Sequence, residues 1–452
     1  MPRREIIQIH IGQAGVNLAE SCWELFCLEH GISLDGNIVG ESRCHIDDSF
    51  SSYFTVSAAG TVEPRTIMID LEPSAINNVK IGHLQKIFDH TKFVTGKEDT
   101  ANIYTAGYCG HGRELYHLAV DCIRLLAEKC NNLEGFVLFR CFGGGTGSGF
   151  SSQLLEHISE RYNKQIIMEF GVFPSPNVSP VIIEPYNTVL TTHASMENED
   201  CCFILDNGAG YDILVKNIDE DDALTYKGIN RLFAQVIASA TSSLRFQGPI
   251  NVSLEEFQKN IVPYPRIHYP LITYSPVINV NRPAYEELTL AQMTERCFHP
   301  DTSLVKCDPR TGKYLNAWFL YRGQVNPTDI NSAITWVKAQ HSKQFINWCP
   351  VGFKIGLNYN AIETVPKGHL GSPARDCTIV SNNSAIKEIW ERLITKYDMM
   401  LNRKAYLYHY LSEGLEESEF HDARENLLYL IDDYREVEIE VEDPDSYEDG
   451  DG

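Results

Sequence analysis

A glycine-rich segment at residues 141–149, CFGGGTGSG, carries the strongest chemical signal in the sequence. Five of the seven residues from 143 to 149 are glycine. Because glycine has no Cβ, a turn of this composition lets several backbone N–H groups approach the oxygens of a phosphate. The segment follows an apolar strand pattern and precedes a helix pattern, and the N-terminus of that helix adds partial positive charge. The pattern therefore predicts a site for a polyphosphate.

Two common nucleotide-binding motifs do not fit this segment. A P-loop requires a lysine directly after its last glycine, but Phe150 follows Gly149. The dinucleotide fingerprint requires three glycines after the first strand, and GQAG at 12–15 has only two. The sequence thus excludes a Walker-type NTPase at the level of the motif and disfavours an NAD-dependent enzyme.

Without a lysine, the charge of a triphosphate needs another counterion. Mg²⁺ held through a carboxylate at a strand end would supply it. Asp70 and Glu72 stand at the end of the apolar strand pattern 66–70, where such an acid is expected. Both could equally be solvated acids at the start of a helix. On these residues alone the two interpretations stay open.

The elements that must position this site alternate between strand and helix. Short apolar strand patterns lie at 6–11, 66–70, 136–140, 166–173 and 202–206. An amphipathic helix pattern follows Gly112, and parallel strands require crossover helices of this kind. The first half of the chain is therefore predicted to be an α/β domain with a mostly parallel, Rossmann-like sheet.

The remaining pattern divides the chain into five parts. We expect a nucleotide-binding domain at 1–207, a connecting segment with a core helix at 208–247, an intermediate α/β domain at 248–382, a C-terminal helical hairpin at 383–434 and an acidic, disordered tail at 435–452. Proline-punctuated strand patterns indicate the intermediate domain. Two apolar stripes at helical spacing indicate the hairpin.

The overall composition excludes several classes of protein. Of the 452 residues, 43% are hydrophobic, which suffices for real cores. The 61 acidic and 38 basic residues give a net charge of −23, which disfavours nucleic acid and anionic membranes as partners. We expect no signal peptide and no membrane-spanning segment. Thirteen cysteines without a CxxC pair predict the buried, reduced thiols of a cytosolic protein.

Several motifs together resemble the tubulin family. GGGTGSG is similar to the phosphate loop shared by tubulins and the bacterial division GTPases. The motifs IGQAG at 11–15, DLEP at 70–73, GKED at 96–99, EPYN at 184–187 and VPYPR at 262–266 occur in the order that tubulins have. The resemblance runs from about residue 4 to residue 434. It implies a GTP-binding constituent of microtubules, with GTP and Mg²⁺ as cofactors.

The resemblance also implies which residues form the site. Glu72 would serve the Mg²⁺ shell and Gln13 the phosphates, while Tyr226 would stack on the base. Asn207 and Asn230 would recognise the guanine edge, since an amide offers a donor and an acceptor together. The residues implied for the nucleotide are Gln13, Ala14, Asp99, Cys141, Gly144, Gly145, Thr146, Gly147, Ser179, Pro180, Glu184, Asn207, Tyr226 and Asn230. Taken without the family, Tyr226 is more readily a packed core aromatic.

Two features resemble the α-tubulins within the family. Glu256 stands where α-tubulins have a glutamate, and the connection at 358–375 is long, as theirs is. The resemblance implies an α-type subunit that holds its own GTP without exchange and forms a heterodimer with β-tubulin. Glu256 would then be the catalytic residue, positioning a water against the GTP of a neighbouring β subunit. By itself Glu256 is one of two adjacent acids opening an amphipathic segment.

Two residues of the implied site depart from the family pattern. Cys141 replaces the usual serine before the glycine-rich turn, and Pro180 replaces a threonine that resembles a ribose or phosphate contact. Contacts through the backbone would survive both changes, whereas hydroxyl contacts would not. One alternative is therefore a degenerate tubulin-like interaction protein with weakened GTP binding. Another is a homopolymer GTPase, similar to the bacterial division proteins, that needs no partner subunit.

The C-terminal end is strongly acidic. Eleven acids and a single base, Arg435, lie between residues 432 and 452. Such a segment can be simply a solvated, disordered end. In a tubulin it would also attract basic motor and microtubule-associated proteins through electrostatics that salt screens. The expected location is the microtubule cytoskeleton of the cytoplasm.

Overall fold

A computed structural model describes residues 4–39, 49–57, 60–175, 179, 181–218, 223–250, 252–281, 288–348, 352–366 and 368–439. The strands in these ranges are β1 (Glu5–Ile11), β2 (Phe54–Val56), β3 (Val62–Pro64), β4 (Thr66–Asp70), β5 (Phe93–Thr95), β6 (Leu133–Cys141), β7 (Ile166–Phe173), β8 (Cys201–Asp206), β9 (Leu271–Ser275), β10 (Tyr314–Gly323), β11 (Phe353–Asn358) and β12 (Arg375–Asn383). The α-helices are α1 (Gly12–Glu29), α2 (Pro73–Ile81), α3 (Tyr104–Tyr108), α4 (Gly112–Lys129), α5 (Ser151–Arg161), α6 (Glu184–Ser195), α7 (Asn207–Asn217), α8 (Tyr226–Ala240), α9 (Ser242–Arg245), α10 (Leu254–Ile261), α11 (Leu290–Arg296), α12 (Pro327–His341), α13 (Lys387–Leu401), α14 (Leu407–Ser412) and α15 (Glu417–Val437).

The first domain is built on a six-stranded sheet in the order β5-β4-β1-β6-β7-β8. Every pair of neighbours in it is parallel. Helices α1 and α8 pack on one face, and helices α4 and α5 pack on the other. Because both faces are covered, β1, β4 and β7 are buried along their whole length, and β4 and β7 are mostly apolar. The predicted α/β class and parallel sheet are confirmed.

The order of the strands determines where a ligand can bind. From the central strand β1 the chain builds β4 and β5 on one side, and then places β6 on the other side of β1. In open parallel sheets, ligands bind outside the carboxyl ends of the strands where the order reverses in this way. The glycine-rich turn after β6 therefore lies beside the start of α1, which follows β1.

The second domain contains a four-stranded mixed sheet in the order β11-β10-β12-β9. Strand β10 is parallel to β11 and antiparallel to β12, which is antiparallel to β9. Helix α8 lies in one hydrophobic cluster with residues of both sheets, so the two domains share a core. The core helix predicted within 208–247 is α8, which begins at Tyr226 because Thr225 caps it by accepting a hydrogen bond from the Gly228 N–H at 3.2 Å.

A layer of helices completes the fold. The two predicted C-terminal helices are α13 and α15, and the short helix α14 between them was not predicted. Helix α15 ends at Val437, so residues 435–437, assigned to the tail by the sequence, are helical. Glu438 caps the end of this helix and Ile439 follows it, whereas 440–452 lies outside the described residues. Within the described chain, none of the helices has the length and apolar character needed to cross a membrane.

The cysteines in the described part of the chain are free thiols, as the sequence predicts. They are Cys22, Cys27, Cys109, Cys122, Cys130, Cys141, Cys201, Cys202, Cys297, Cys307 and Cys377. Most of them are buried or half-buried, where they pack as small hydrophobic side chains.

Candidate nucleotide site

A pocket of about 1070 Å³, measured with its open mouth, lies at the carboxyl ends of β1, β4, β6 and β8. Its wall includes the start of α1, the acids after β4, the glycine-rich turn after β6 and the start of α7. Among the lining residues that the structure describes there is no lysine or arginine. Backbone N–H groups, helix N-termini and a bound cation are the means that remain to balance an anionic ligand here.

The pocket brings together most of the residues that the sequence analysis implied. Those that line it are Gln13, Ala14, Glu72, Asp99, Cys141, Gly144, Gly145, Thr146, Gly147, Ser179, Glu184, Asn207 and Tyr226. Three predicted residues are not placed in this wall. Asn230 lies one turn beyond Tyr226 on α8, Glu256 lies on α10, and Pro180 is outside the described residues.

Helix α1 begins directly at the pocket. Its first residue, Gly12, has φ +73°, and a Cβ there would lie 3.1 Å from the backbone nitrogen of Gly147. Only glycine combines this backbone angle with that close approach. No side chain caps the helix, so its first N–H groups remain available to a ligand. Gln13 in this first turn is exposed toward the pocket.

The glycine-rich turn is shaped by close packing on its outer side and by open space on its inner side. A Cβ on Gly145 would lie 2.7 Å from the carbonyl oxygen of Ile103, and one on Gly147 would lie 2.6 Å from that of Cys141. A Cβ on Gly144 would meet nothing closer than the Asn102 side-chain oxygen at 4.0 Å. Gly144 therefore leaves a space in the wall that a side chain would fill.

A buried ion-pair network holds the base of the turn. Arg140, the residue before Cys141, is fully buried and its Nε lies 2.8 Å from Glu169 Oε2. Its Nη1 donates to the Ser151 hydroxyl at 2.9 Å, which ties the end of β6 to the start of α5. Glu169, Glu199 and Cys202 group their donor atoms within 4.8 Å. Arg140 supplies the positive charge that Glu169 and Glu199 face, so an ion pair accounts for this group without a metal ion.

The acids after β4 fit a divalent cation. Asp70 is 2% exposed, and its Oδ1 accepts a hydrogen bond from the Glu72 N–H at 3.3 Å. Its Oδ2 is buried and has no hydrogen-bond partner among the described residues. Burial raises the pKa of this carboxyl to about 7. Carboxylate oxygens are the ligands that Mg²⁺ prefers, so Asp70 and Glu72 are the residues that would hold it, and the bound ion would offset phosphate charge.

The opposite end of the pocket suits a base and a sugar. The Asp206 carboxylate caps α7 by accepting a hydrogen bond from the Gly208 N–H at 2.7 Å, and Asn207, the first residue of that helix, lines the pocket. Tyr226 is 54% exposed, so it is not the packed core aromatic that its sequence alone suggested. The hydroxyl of Ser179 donates to Glu184, whose pKa burial raises to about 7.

Sequence reasoning missed the loop that faces the glycine-rich turn. Thr100 and Asn102 line the pocket, and Ala101 and Asn102 both have positive φ angles, of 48° and 59°. Non-glycine residues with such angles are uncommon and concentrate at functional sites. The sequence of the loop has no periodic pattern, and the only signal for it was the GKED motif at 96–99, which directly precedes it.

The position of Glu256 differs from that of the pocket residues. It lies in the first turn of α10, where the Ser253 hydroxyl caps the helix by accepting from the Glu256 N–H at 3.2 Å. Its side chain is exposed and has no hydrogen bond or ion pair within the described ranges. The adjacent Glu255 forms an ion pair with Lys259 instead.

Taken together, the strand order, the lysine-free pocket and the oxygen donors beside it define a nucleotide-binding α/β protein. A comparison of the sequence with known protein families then identifies the family. Residues 5–215 match the Tubulin/FtsZ family GTPase domain, and residues 265–395 match the tubulin C-terminal domain, which together cover more than half of the chain. The chain belongs to the Tubulin/FtsZ family and is a tubulin-like cytoskeletal GTP-binding protein.

Proposed function

We propose that this chain is an α-type tubulin subunit. It holds GTP and Mg²⁺ in its own pocket, pairs with β-tubulin, and uses Glu256 to position the water that attacks the GTP of the next β subunit. The observation that carries the proposal is the location of Glu256. Its carboxylate is exposed, has no partner in the described part of the chain, and does not line the chain's own pocket. A residue so placed can reach a nucleotide only in another subunit.

The proposed retention of the chain's own GTP rests on two features of the pocket. Its mouth is open in the single chain, so a partner seated over it would close the exit for the nucleotide. The wall contains acids but no basic residue among those described, so a cation held by the acids would link the phosphates to the wall, and release would have to break that link. Retention of the nucleotide follows if β-tubulin supplies that partner surface.

Matched variants of two adjacent glutamates test the catalytic proposal. In filaments formed with β-tubulin, we expect Glu256→Ala to lower GTP turnover per filament subunit by about 100-fold, the lower end of what a positioned acid–base group contributes. Glu255→Ala is the control, because Glu255 lies in the same helical turn but is paired with Lys259. Equal turnover in the two variants would exclude the role of Glu256.

A second candidate function is the degenerate interaction protein. Burial raises the pKa of the Cys141 thiol, so a neutral thiol, which is a weak hydrogen-bond donor, faces the pocket at this position. Denaturing the purified chain and identifying what it releases separates the candidates. Stoichiometric guanine nucleotide supports the α-type subunit, and folded protein that releases none supports the interaction protein.

The partners and location belong to the same proposal. We propose a microtubule location in the cytoplasm and, through residues 440–452, binding of basic motor and microtubule-associated proteins. Nucleic acid and membranes are not proposed as partners because of the net charge of −23. Binding of a basic motor domain to filaments should weaken as salt rises, and should be lost when residues 440–452 are removed.

A further inference from the structure

A single buried amide connects the two loops that face the phosphate end of the pocket. Asn187, in the first part of α6, is fully buried. Its Nδ2 donates to the carbonyl oxygen of Asn102 at 2.6 Å and to that of Gly143 at 2.7 Å. Asn102 lies in the loop after Asp99, and Gly143 begins the glycine-rich turn. The amide thereby fixes the distance between the two loops.

The oxygen of the same amide is held from the other side. Asn187 Oδ1 accepts from the Tyr104 N–H at 3.1 Å and from the Tyr410 hydroxyl at 2.7 Å. With two donors and two accepted bonds, the hydrogen-bonding capacity of the amide is fully used. A satisfied buried amide has one preferred orientation, because any rotation leaves buried polar groups without partners.

Tyr410 brings the helical layer into this network. It is fully buried on α14, and its ring packs edge-on against Tyr186 and Phe420 at centroid distances of 5.5 and 5.6 Å. Helix α14 packs on α3, and a Cβ on Gly107 of α3 would lie 3.0 Å from the backbone nitrogen of Phe150. Helix α3 is thus enclosed between α14 and the turn that forms the phosphate end of the pocket.

We propose that Tyr410 is a positioning residue for the nucleotide site, which acts through Asn187 to hold the loop at 99–104 and the glycine-rich turn at the spacing that bound phosphates require. The inference rests on the proposed function, since it concerns how strongly this chain holds its own nucleotide. Because coupling between two sites is reciprocal, a bound nucleotide should in turn stabilise α14. The C-terminal helices then report on the occupancy of the pocket.

Two tyrosine variants of the full chain, co-expressed with β-tubulin, test this inference. Tyr410→Phe removes one hydroxyl and leaves Asn187 Oδ1 short of a buried donor, so we expect labelled GTP to dissociate about tenfold faster. Tyr397→Phe is the matched control. Its hydroxyl is also buried in the helical layer and donates to the Phe420 carbonyl oxygen at 2.8 Å, but it has no bond to either loop. We expect Tyr397→Phe to lower thermal stability to a similar extent and to leave GTP dissociation unchanged.

A measurement on the unmodified chain covers the case in which Tyr410→Phe does not fold. Removal of nucleotide should raise hydrogen exchange at the amides of α14 more than at those of α13. An equal increase in exchange in the two helices would overturn the inference, as would equal GTP dissociation from the two tyrosine variants. Failure of the wild-type chain to hold any guanine nucleotide would instead overturn the proposed function. The two failures are distinguishable, because the inference is tested only on a chain that has been found to hold guanine nucleotide.

Discussion

Gly144 and Gly145 are neighbours in the turn, yet the same substitution should affect them differently. Gly145→Ala places a methyl group 2.7 Å from the Ile103 carbonyl oxygen, so we expect a loss of stability of about 1–3 kcal/mol. Gly144→Ala places its methyl group in the space of the pocket, so we expect an unchanged unfolding temperature and guanine nucleotide binding at least tenfold weaker. Calorimetry and nucleotide titration of both variants check this. Weakened folding in Gly144→Ala would contradict the assignment of that space to phosphate.

Replacing Asp70 should have opposite effects on the stability of the free protein and on its affinity for GTP in Mg²⁺. Its Oδ2 is buried without a partner in the described structure, and such an arrangement costs free energy until a cation is bound. We expect Asp70→Asn to raise the nucleotide-free unfolding free energy by about 1 kcal/mol and to abolish the effect of Mg²⁺ on GTP affinity. Titrations with GTP in Mg²⁺ and in EDTA measure the second effect. Glu72→Gln, at a half-buried position, should reduce the Mg²⁺ effect without the gain in stability.

Many of the site residues that the sequence predicted lie in motifs that are contiguous in the chain. Gln13 lines the pocket as the family resemblance implied, and so do Cys141 and residues 143–147, which follow directly from a strand of recognisable pattern. Asn102 and Asn187 were not assigned to the site. The role of Asn187 depends on its hydrogen bonds to Asn102 and Gly143, which lie 85 and 44 positions before it in the chain. No local sequence pattern encodes contacts over such separations.

At the scale of elements, the strands were more predictable than the short helices. A strand buried on both faces is a nearly continuous apolar run bounded by turn residues, so β4 and β7 were located at their observed ends. Helix α14 has six residues, which is less than two turns, and it begins after Tyr406 in a left-handed conformation. Its formation depends on tertiary packing, and so periodicity did not reveal it.

Helix α10 gives an element-scale test of the proposed catalytic role. Ser253→Ala removes the cap of the helix, which should cost about 1 kcal/mol of local stability. Because Glu256 lies in the first turn of the helix, fraying there should also lower GTP turnover in filaments with β-tubulin. Ser253→Asp keeps an N-cap acceptor and should restore both quantities. If Ser253→Ala lowered stability but left turnover unchanged, the orientation of α10 would not matter for hydrolysis.

At the scale of the whole molecule, buried charges join the two domains. Glu29 at the end of α1 pairs with Arg245 of α9, and its Oε1 lies 2.7 Å from Arg322 Nη1 on β10. All three side chains are at most 2% exposed. Removing one member would leave an uncompensated buried charge, which is strongly destabilising. Since Glu29 and Arg245 lie 216 residues apart, the sequence offered no means of pairing them.

A fourth buried charge lies beside this network. Asp376 on β12 accepts hydrogen bonds at Oδ2 from the Ser239 hydroxyl at 3.0 Å and the Tyr274 hydroxyl at 3.2 Å. Burial raises the pKa of its carboxyl from 3.8 to about 6, although Arg322 and the two hydroxyls oppose the rise. Glu29 acts in the same direction as burial. The carboxyl therefore takes up a proton on folding at mildly acidic pH.

The raised pKa of Asp376 makes the stability of the molecule depend on pH in a defined direction. Between about pH 4 and pH 6 the folded state binds more protons than the unfolded state, so this group contributes stability below pH 4 and loses it as pH rises through 6. The full loss is about 3 kcal/mol, of which about 1 kcal/mol falls between pH 5.5 and 7.5. Asp376→Asn cannot ionise and should escape this loss.

Urea unfolding of both proteins from pH 5.5 to 7.5 measures the difference, in which the other titrating groups cancel. The unfolding free energy of Asp376→Asn minus that of the wild type should rise with pH by about 1 kcal/mol and level off near pH 7.5. Ser239→Ala is the matched control, because it removes a hydrogen bond that favours the ionised Asp376 carboxylate and so raises the pKa of that carboxyl further. The unfolding free energy of Ser239→Ala should therefore continue to fall to a higher pH than that of the wild type. A difference between Asp376→Asn and wild type that does not change with pH would mean that Asp376 is already ionised throughout this range, held so by Arg322, its neighbour on β10 in the same sheet.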